Sequence, residues 1–278
     1  MKSKEPLVTI ITPSYNQGEF IEDTILSVKN QDYSNIEHII IDGGSQDKTI
    51  DILKKYENSY NMHWISEPDG GQSDAINKGF KMARGDIVAW LNSDDCYFDV
   101  SSVSHVTKCF EQYPDTDVIY GDAVRINATN EILYIIKNRK FNDEYLKKSC
   151  FIVQPAAFFR KKVIANNQLN TELDIAMDYD FWLRINREHK FQYVNIIFAA
   201  DREHAKRKIR LRRHEMIQES QLLSKTYDKW SKFDKIKNLS SFPFRKIYRI
   251  IRIWSFKHTK IKFAFDLKYS DDISLIFN

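Results

Sequence analysis

Apolar runs alternate with amphipathic stretches through the first hundred residues. Residues 7–12, 37–41, 62–65 and 87–91 read as strands, each bounded by turn-forming residues. Between them, residues 18–30, 49–56 and 72–84 carry apolar side chains near the helical repeat, as Phe20, Ile21, Thr24, Ile25 and Val28 do in the first. Strands alternating with helices predict a parallel, doubly wound sheet. Beyond Asp95 the pattern loosens. A helix is expected over 101–113, a strand over 117–121, a hairpin over 123–137 turning near 128–130, and a strand over 156–160. A helix over 178–188 and a strand over 191–200 follow. The predicted fold is α/β, a Rossmann-like mixed sheet flanked by helices, with a helical basic appendage after a boundary near Asp201.

Open sheets of this kind bind ligands beyond the carboxyl ends of their strands, where loops and helix N-termini converge. The four segments that follow the first four strands are TPSYNQG, DGGSQDKT, SEPDGGQSDAINKG and NSDD. All are polar. None is G-x-G-x-x-G, and no P-loop lysine is present, so the usual nucleotide cradles are missing. Acidic strand ends stand in their place: Asp42, Asp69, Asp94 and Asp95. Carboxylates repel a diphosphate, so a cluster of them facing one requires a divalent cation in between. Taken singly, Asn92 to Asp95 is equally a polar turn or helix cap, and Asp42 a cap for a helix starting near Lys48.

Five segments in order, TIITPSYNQGEFI, IDGGSQDKT, SEPDGGQSDAINKG, AWLNSDD and AMDYDFWLRI, resemble the inverting family-2 glycosyltransferases of the GT-A fold, over roughly residues 6–205. The resemblance implies a catalytic domain at 1–205, with a nucleotide-sugar half at about 6–95 and an acceptor half at about 96–205, and an extension at 206–278. It implies a nucleotide-sugar donor, a UDP-sugar first, with Mg²⁺ or Mn²⁺, and an acceptor hydroxyl. Pro13, Tyr15 and Asn16 would border the base, Tyr15 as a flat apolar wall, and Asp42 would accept a hydrogen bond from a uracil-like ring. Asp69, Gly71 and Asp74 would border the ribose and donor sugar. Asn92, Ser93 and Asp94 occupy the place of the family's D-x-D, with Asn for the first Asp, so the metal falls to Asp94, Asp95 and His204. Ile76 stands where many members have Arg. Asp178 corresponds to the catalytic base, with Met177 in place of the usual Glu. An N-cap role for Asp178 remains the alternative, as does packing for Trp182, which with Gln154 is placed at the acceptor.

Charge divides the chain. Residues 202–262 carry 19 Lys or Arg against 5 Asp or Glu, whereas residues 1–201 carry 22 against 30. Residues 240–265 put Ile247, Ile250, Ile251 and Trp254 on one helical face and Arg245, Arg249 and Arg252 on another, which suits contact with an anionic membrane or packing on the domain. No nucleic-acid motif accompanies these charges, and no nucleic-acid partner is expected. Cys96, Cys109 and Cys150 are odd in number and widely spaced, fitting a reducing compartment. Residues 7–11 are too short a run for a signal peptide, and no stretch reaches membrane-spanning length. The expectation is a cytoplasmic enzyme of polysaccharide or glycolipid synthesis, peripheral at the inner face of the membrane. A catalytically inactive nucleotide-sugar-binding module is the alternative.

Overall fold

The computed structural model describes residues 5–227 and 268–269. Its first half is three β–α steps and a fourth strand: β1 (Val8–Ser14), α1 (Ile21–Lys29), β2 (Ile36–Asp42), α2 (Thr49–Tyr56), β3 (Met62–Ser66), α3 (Gln72–Met82) and β4 (Ile87–Trp90). Then come β5 (Cys96–Tyr97), α4 (Ser102–Gln112), β6 (Val118–Ile126), β7 (Glu131–Ile136), α5 (Asp143–Leu146) and β8 (Ala157–Arg160). The remainder is α6 (Met177–Ile185), β9 (Phe191–Arg202), α7 (Lys208–Leu211), α8 (Arg213–Tyr227) and β10 (Lys268–Tyr269).

Among the described residues the sheet runs β10-β7-β6-β8-β4-β1-β2-β3, with β9 beside β6 and β5 beside β9. Strands β1 to β4 are mutually parallel, β8 is antiparallel to both β4 and β6, and β9 is parallel to β6. Register does the functional work. Ser14 pairs with Asp42 and Asp42 with Ser66, so three strands end level and release their loops at one edge. Every residue of β1, β2 and β4 is buried, which a strand covered by helices on both faces requires.

The expected strand at 117–121 and the first arm of the hairpin are one strand, β6. Gly121, which reads as a strand end, instead lies within it, because a Cβ there would come 2.3 Å from the Ile196 carbonyl of β9. Beneath the site edge, Trp90 of β4 packs with Phe80, Phe159, Phe181 and Trp182, the two indoles stacked at 5.5 Å and 8°. Helix α8 lies against this body through buried Leu223 and a hydrogen bond from Ser224 Oγ to the Lys147 carbonyl, 2.8 Å. No helix among the described residues is long and apolar enough to cross a membrane. The amphipathic stretch expected at 240–265 lies outside the described residues.

Candidate active site

The level strand ends open onto a cleft of about 920 Å³, bordered by the loops after β1, β3 and β4, the turn before α6 and the end of β9. Pro13 and Tyr15 form one wall, and Tyr15 is 61% exposed, an unpacked ring of the kind a flat ligand covers. Beside them Ser14 Oγ is buried at the wall with no hydrogen-bond partner.

Asn16 faces away from this wall. It sits at φ +52°, donates its N–H to Ser45 Oγ at 2.7 Å and accepts from the Gln46 N–H at 2.8 Å, stitching the first loop to the second. Asp42 is also removed from the cleft. Fully buried, its carboxylate accepts from the N–H groups of Gly44 and Ser45 and from the hydroxyls of Ser45 and Ser66. It does not cap α2 either: the N-cap position is Lys48, and the first N–H of the helix, from Thr49, goes to Asp47 at 2.9 Å. Both residues were expected at the ligand and are loop braces instead, because an Asp or Asn side chain beside a tight turn finds backbone donors first.

Asp69 remains on the cleft wall, accepting from the Gly71 N–H at 2.8 Å. Gly71, at φ +105°, starts α3 in a conformation that L side chains rarely adopt and borders the cleft. Asp74 lies outside the lining; it accepts from Gly70 N–H at 3.1 Å and pairs with Lys78 at 3.6 Å, bracing the start of the helix. Ile76 is buried in the core.

After β4 the loop residues divide sharply. Asn92 has its amide fully engaged: its Oδ1 accepts from Gln72 Nε2 at 2.8 Å, and its Nδ2 donates to Asp95 Oδ2 at 3.2 Å and Gln154 Oε1 at 3.1 Å. An aspartate has no donor for those two acceptors, which is the physical reason for Asn at this position. Gln154, in turn, donates to the Trp90 carbonyl at 2.6 Å, so it both lines the cleft and clamps β4. Ser93 is buried against the cleft.

Asp95 faces inward. Its oxygens are held by Arg202 N–H, at 3.0 Å, and Asn92, and burial together with the neighbouring Asp94 charge pushes its carboxyl up to about 7. These bonds brace the loop that carries Asp94. Asp94 and His204 are the free pair, Oδ2 to Nε2 3.0 Å, both on the cleft, with the imidazole against Phe20. Among the described residues no group of three His, Cys, Asp or Glu side chains surrounds one point. One carboxylate and one imidazole are a donor pair that would suit a divalent ion.

Asp178 lies in the first turn of α6, on the cleft, and is not its N-cap, which is Ala176. Its carboxylate accepts from the Tyr179 N–H, 2.7 Å, and burial pushes the carboxyl up to about 6. Asp180, the other candidate in AMDYD, is turned into a salt bridge with Arg184 at 2.8 Å. Trp182, placed at the acceptor from the sequence, is not part of the cleft lining: one helical turn on from Asp178, it has no exposed surface and stacks on Trp90.

Residues that the sequence pattern did not single out complete the wall. Arg125 on β6 is paired in register with Asp201 on β9, and the side chains meet at 3.0 Å. Arg207 joins Asp201 at 2.6 Å, and all three border the cleft. Burial, then the Asp95 charge, push the Asp201 carboxyl up against the pull of Arg125. Fully buried Arg202 anchors the Asp94 loop, donating to the Asp94 carbonyl at 2.8 Å and to Asp23 of α1 at 3.0 Å. The only trace of these in the sequence is a charged residue inside a strand-like run, which identifies no partner.

The profile described as Glycosyl transferase family 2 matches residues 9–167. An uncharacterised glycosyltransferase of Rickettsia typhi is 28% identical over 212 residues, which span 72% of this chain and 64% of that protein. One of Mycobacterium tuberculosis is 32% identical over 184 residues, 64% of this chain and 68% of the relative. The hyaluronan synthase of Pasteurella multocida is 28% identical over 200 residues, but these are only 20% of its length. Against other rickettsial relatives too the chain covers a part, 35% of the one from Rickettsia felis. Among solved structures, Staphylococcus aureus TarS residues 1–349 superpose with a TM-score of 0.61 at 18% identity, covering 82% of this chain and 68% of that one. TarS has also been solved with UDP-GlcNAc. A mannosyltransferase of Pyrobaculum calidifontis, solved with GDP-Man and Mn²⁺, superposes with a TM-score of 0.56 at 17% identity, covering 74% of this chain and 59% of that one.

Proposed function

The chain belongs to glycosyl transferase family 2, and from that premise we propose that it moves a sugar from a nucleotide-sugar, a UDP-sugar first, to an acceptor hydroxyl with inversion at the anomeric carbon. The observation that carries this reading is one cleft with a cation-binding pair, Asp94 and His204, and a recessed carboxylate, Asp178, both on its lining. The donor seats its base against Tyr15 and its diphosphate towards Asp94 and His204. Asp94 and His204 would hold a divalent cation, Mn²⁺ or Mg²⁺, which when bound would supply positive charge near the departing diphosphate. Arg207 and Lys206 border the same cleft and add to that charge. Asp178 takes the proton of the acceptor hydroxyl as its oxygen attacks the anomeric carbon, while the bond from that carbon to the diphosphate oxygen breaks on the opposite face. A carboxyl held at about 6 is ionised at neutral pH yet basic enough to accept that proton. TarS with UDP-GlcNAc and the mannosyltransferase with GDP-Man support a nucleotide-sugar donor, and the latter's Mn²⁺ supports the cation.

A thermal-shift screen of nucleotide-sugars with and without Mn²⁺ tests the donor. Transfer or slow donor hydrolysis by the wild type, lost in Asp178→Asn with donor binding retained, tests the chemistry. Binding without turnover in both proteins would leave a nucleotide-sugar-binding module. The acceptor we propose is a saccharide or lipid-linked saccharide, in polysaccharide or glycolipid synthesis at a membrane surface. Liposome flotation with and without residues 240–278 tests the membrane contact, and equal flotation of both sinks it.

A further inference from the structure

Helix α6, which carries Asp178, begins without a cap of its own. Ala176 occupies the N-cap position and has no side-chain acceptor, although the N–H groups at a helix start need partners. The N–H of the N-cap residue Ala176 and those of the two residues before it, Ile175 and Asp174, converge on the Glu219 carboxylate of α8, at 2.8, 3.1 and 3.3 Å. The negative charge thus sits at the positive end of the α6 dipole. The same turn has a second handle on the same side: the Asp174 carboxylate is paired with Lys208 of α7 and with Arg212, which directly precedes α8. Helix α8 is held in turn by buried Leu223 and by the bond from Ser224 to the Lys147 carbonyl.

The turn that Glu219 grips is cleft wall. Asp174, Ile175, Met177 and Asp178 all border the cavity, and Asp178 lies two residues beyond the last N–H that Glu219 accepts. We infer that Glu219 is the positioning residue for Asp178: by capping α6 from a separate helix it sets the direction in which the carboxylate enters the cleft, and it makes α8 part of the catalytic apparatus. This rests on the reading of Asp178 as the base.

The experiment compares Glu219→Ala and Glu219→Gln with the wild-type full chain, measuring kcat, the donor KM and amide exchange over residues 172–182. In Glu219→Ala, exchange at residues 174–176 accelerates while the β1 and β4 amides keep their protection. With it kcat falls about 10- to 100-fold, the scale of a misplaced catalytic group, and the donor KM stays within about two-fold. Glu219→Gln keeps one acceptor oxygen and recovers most of the rate. Unchanged exchange at 174–176 overturns the cap, a result independent of any turnover. Faster exchange with unchanged kcat, or a rise in donor KM that accounts for the loss, overturns the positioning role. Full activity in Asp178→Asn removes the base itself and shows that failure apart from Glu219.

Discussion

Within the cleft, neighbouring carboxylates take different roles because their surroundings differ. Asp178 is recessed and almost unpartnered, Asp95 is tied inward, and Asp94 meets His204. With the Asp178 carboxyl at about 6, raised by burial, the base is lost to protonation as pH falls. The acid limb of kcat/KM is therefore expected near pH 6, and a limb near 4 would show that Asp178 titrates like an exposed carboxylate and is not the base. Asn92 permits a second test. In Asn92→Asp the donors to Asp95 and Gln154 are replaced by a carboxylate oxygen facing two acceptors. The fold should lose about 1–3 kcal/mol in urea denaturation, with no gain in Mn²⁺ affinity. Tighter Mn²⁺ binding at unchanged stability would instead make position 92 a free metal-ligand site. That Asp94 and Asp178 would line one cleft was legible from the order of motifs, whereas the turns that hold Asn16 and Asp42 were not, because side-chain direction in a loop depends on φ and ψ that no residue type specifies.

At the level of single elements, β2 carries a hidden proton switch. His38 is fully buried between Thr12 Oγ1, at 2.9 Å, and the Tyr60 hydroxyl, at 2.6 Å, and burial pushes its imidazole down to about 3. The unfolded chain takes up a proton near pH 6.5 that the folded chain refuses until about 3. Stability is therefore lost as pH falls through that window, by at most about 1.4 kcal/mol per unit from this group. Urea midpoints measured from pH 7 to pH 4 should fall more steeply in the wild type than in His38→Gln; parallel curves would assign the loss to other groups. The elements themselves were readable wherever a local period decided them, as in β1 to β4 and α1 to α3. The hairpin region was misdivided because Gly121, a breaker in isolation, is demanded by the close approach of β9.

For the molecule as a whole, the cleft is backed by the aromatic core. Trp90 borders the cavity on one side and stacks on Trp182 on the other. Trp182→Ala should cost about 3–5 kcal/mol of stability, the usual loss for a buried indole, while Trp182→Phe should keep donor and acceptor KM near wild type. A higher acceptor KM in Trp182→Phe at unchanged stability would return this ring to the acceptor side. The chain alone determined which segments are strands and helices, that their polar ends would share one edge, and that the chemistry there is acidic, because these follow from local periodicity and from the rules of parallel sheets. Tertiary structure alone decided which carboxylates are free. Strand register brings Arg125 to Asp201, the β9 end brings His204 to Asp94, and α8 brings Glu219 to the start of the Asp178 helix. Each is a contact between residues distant in sequence, and a contact of that kind is set by how whole elements pack.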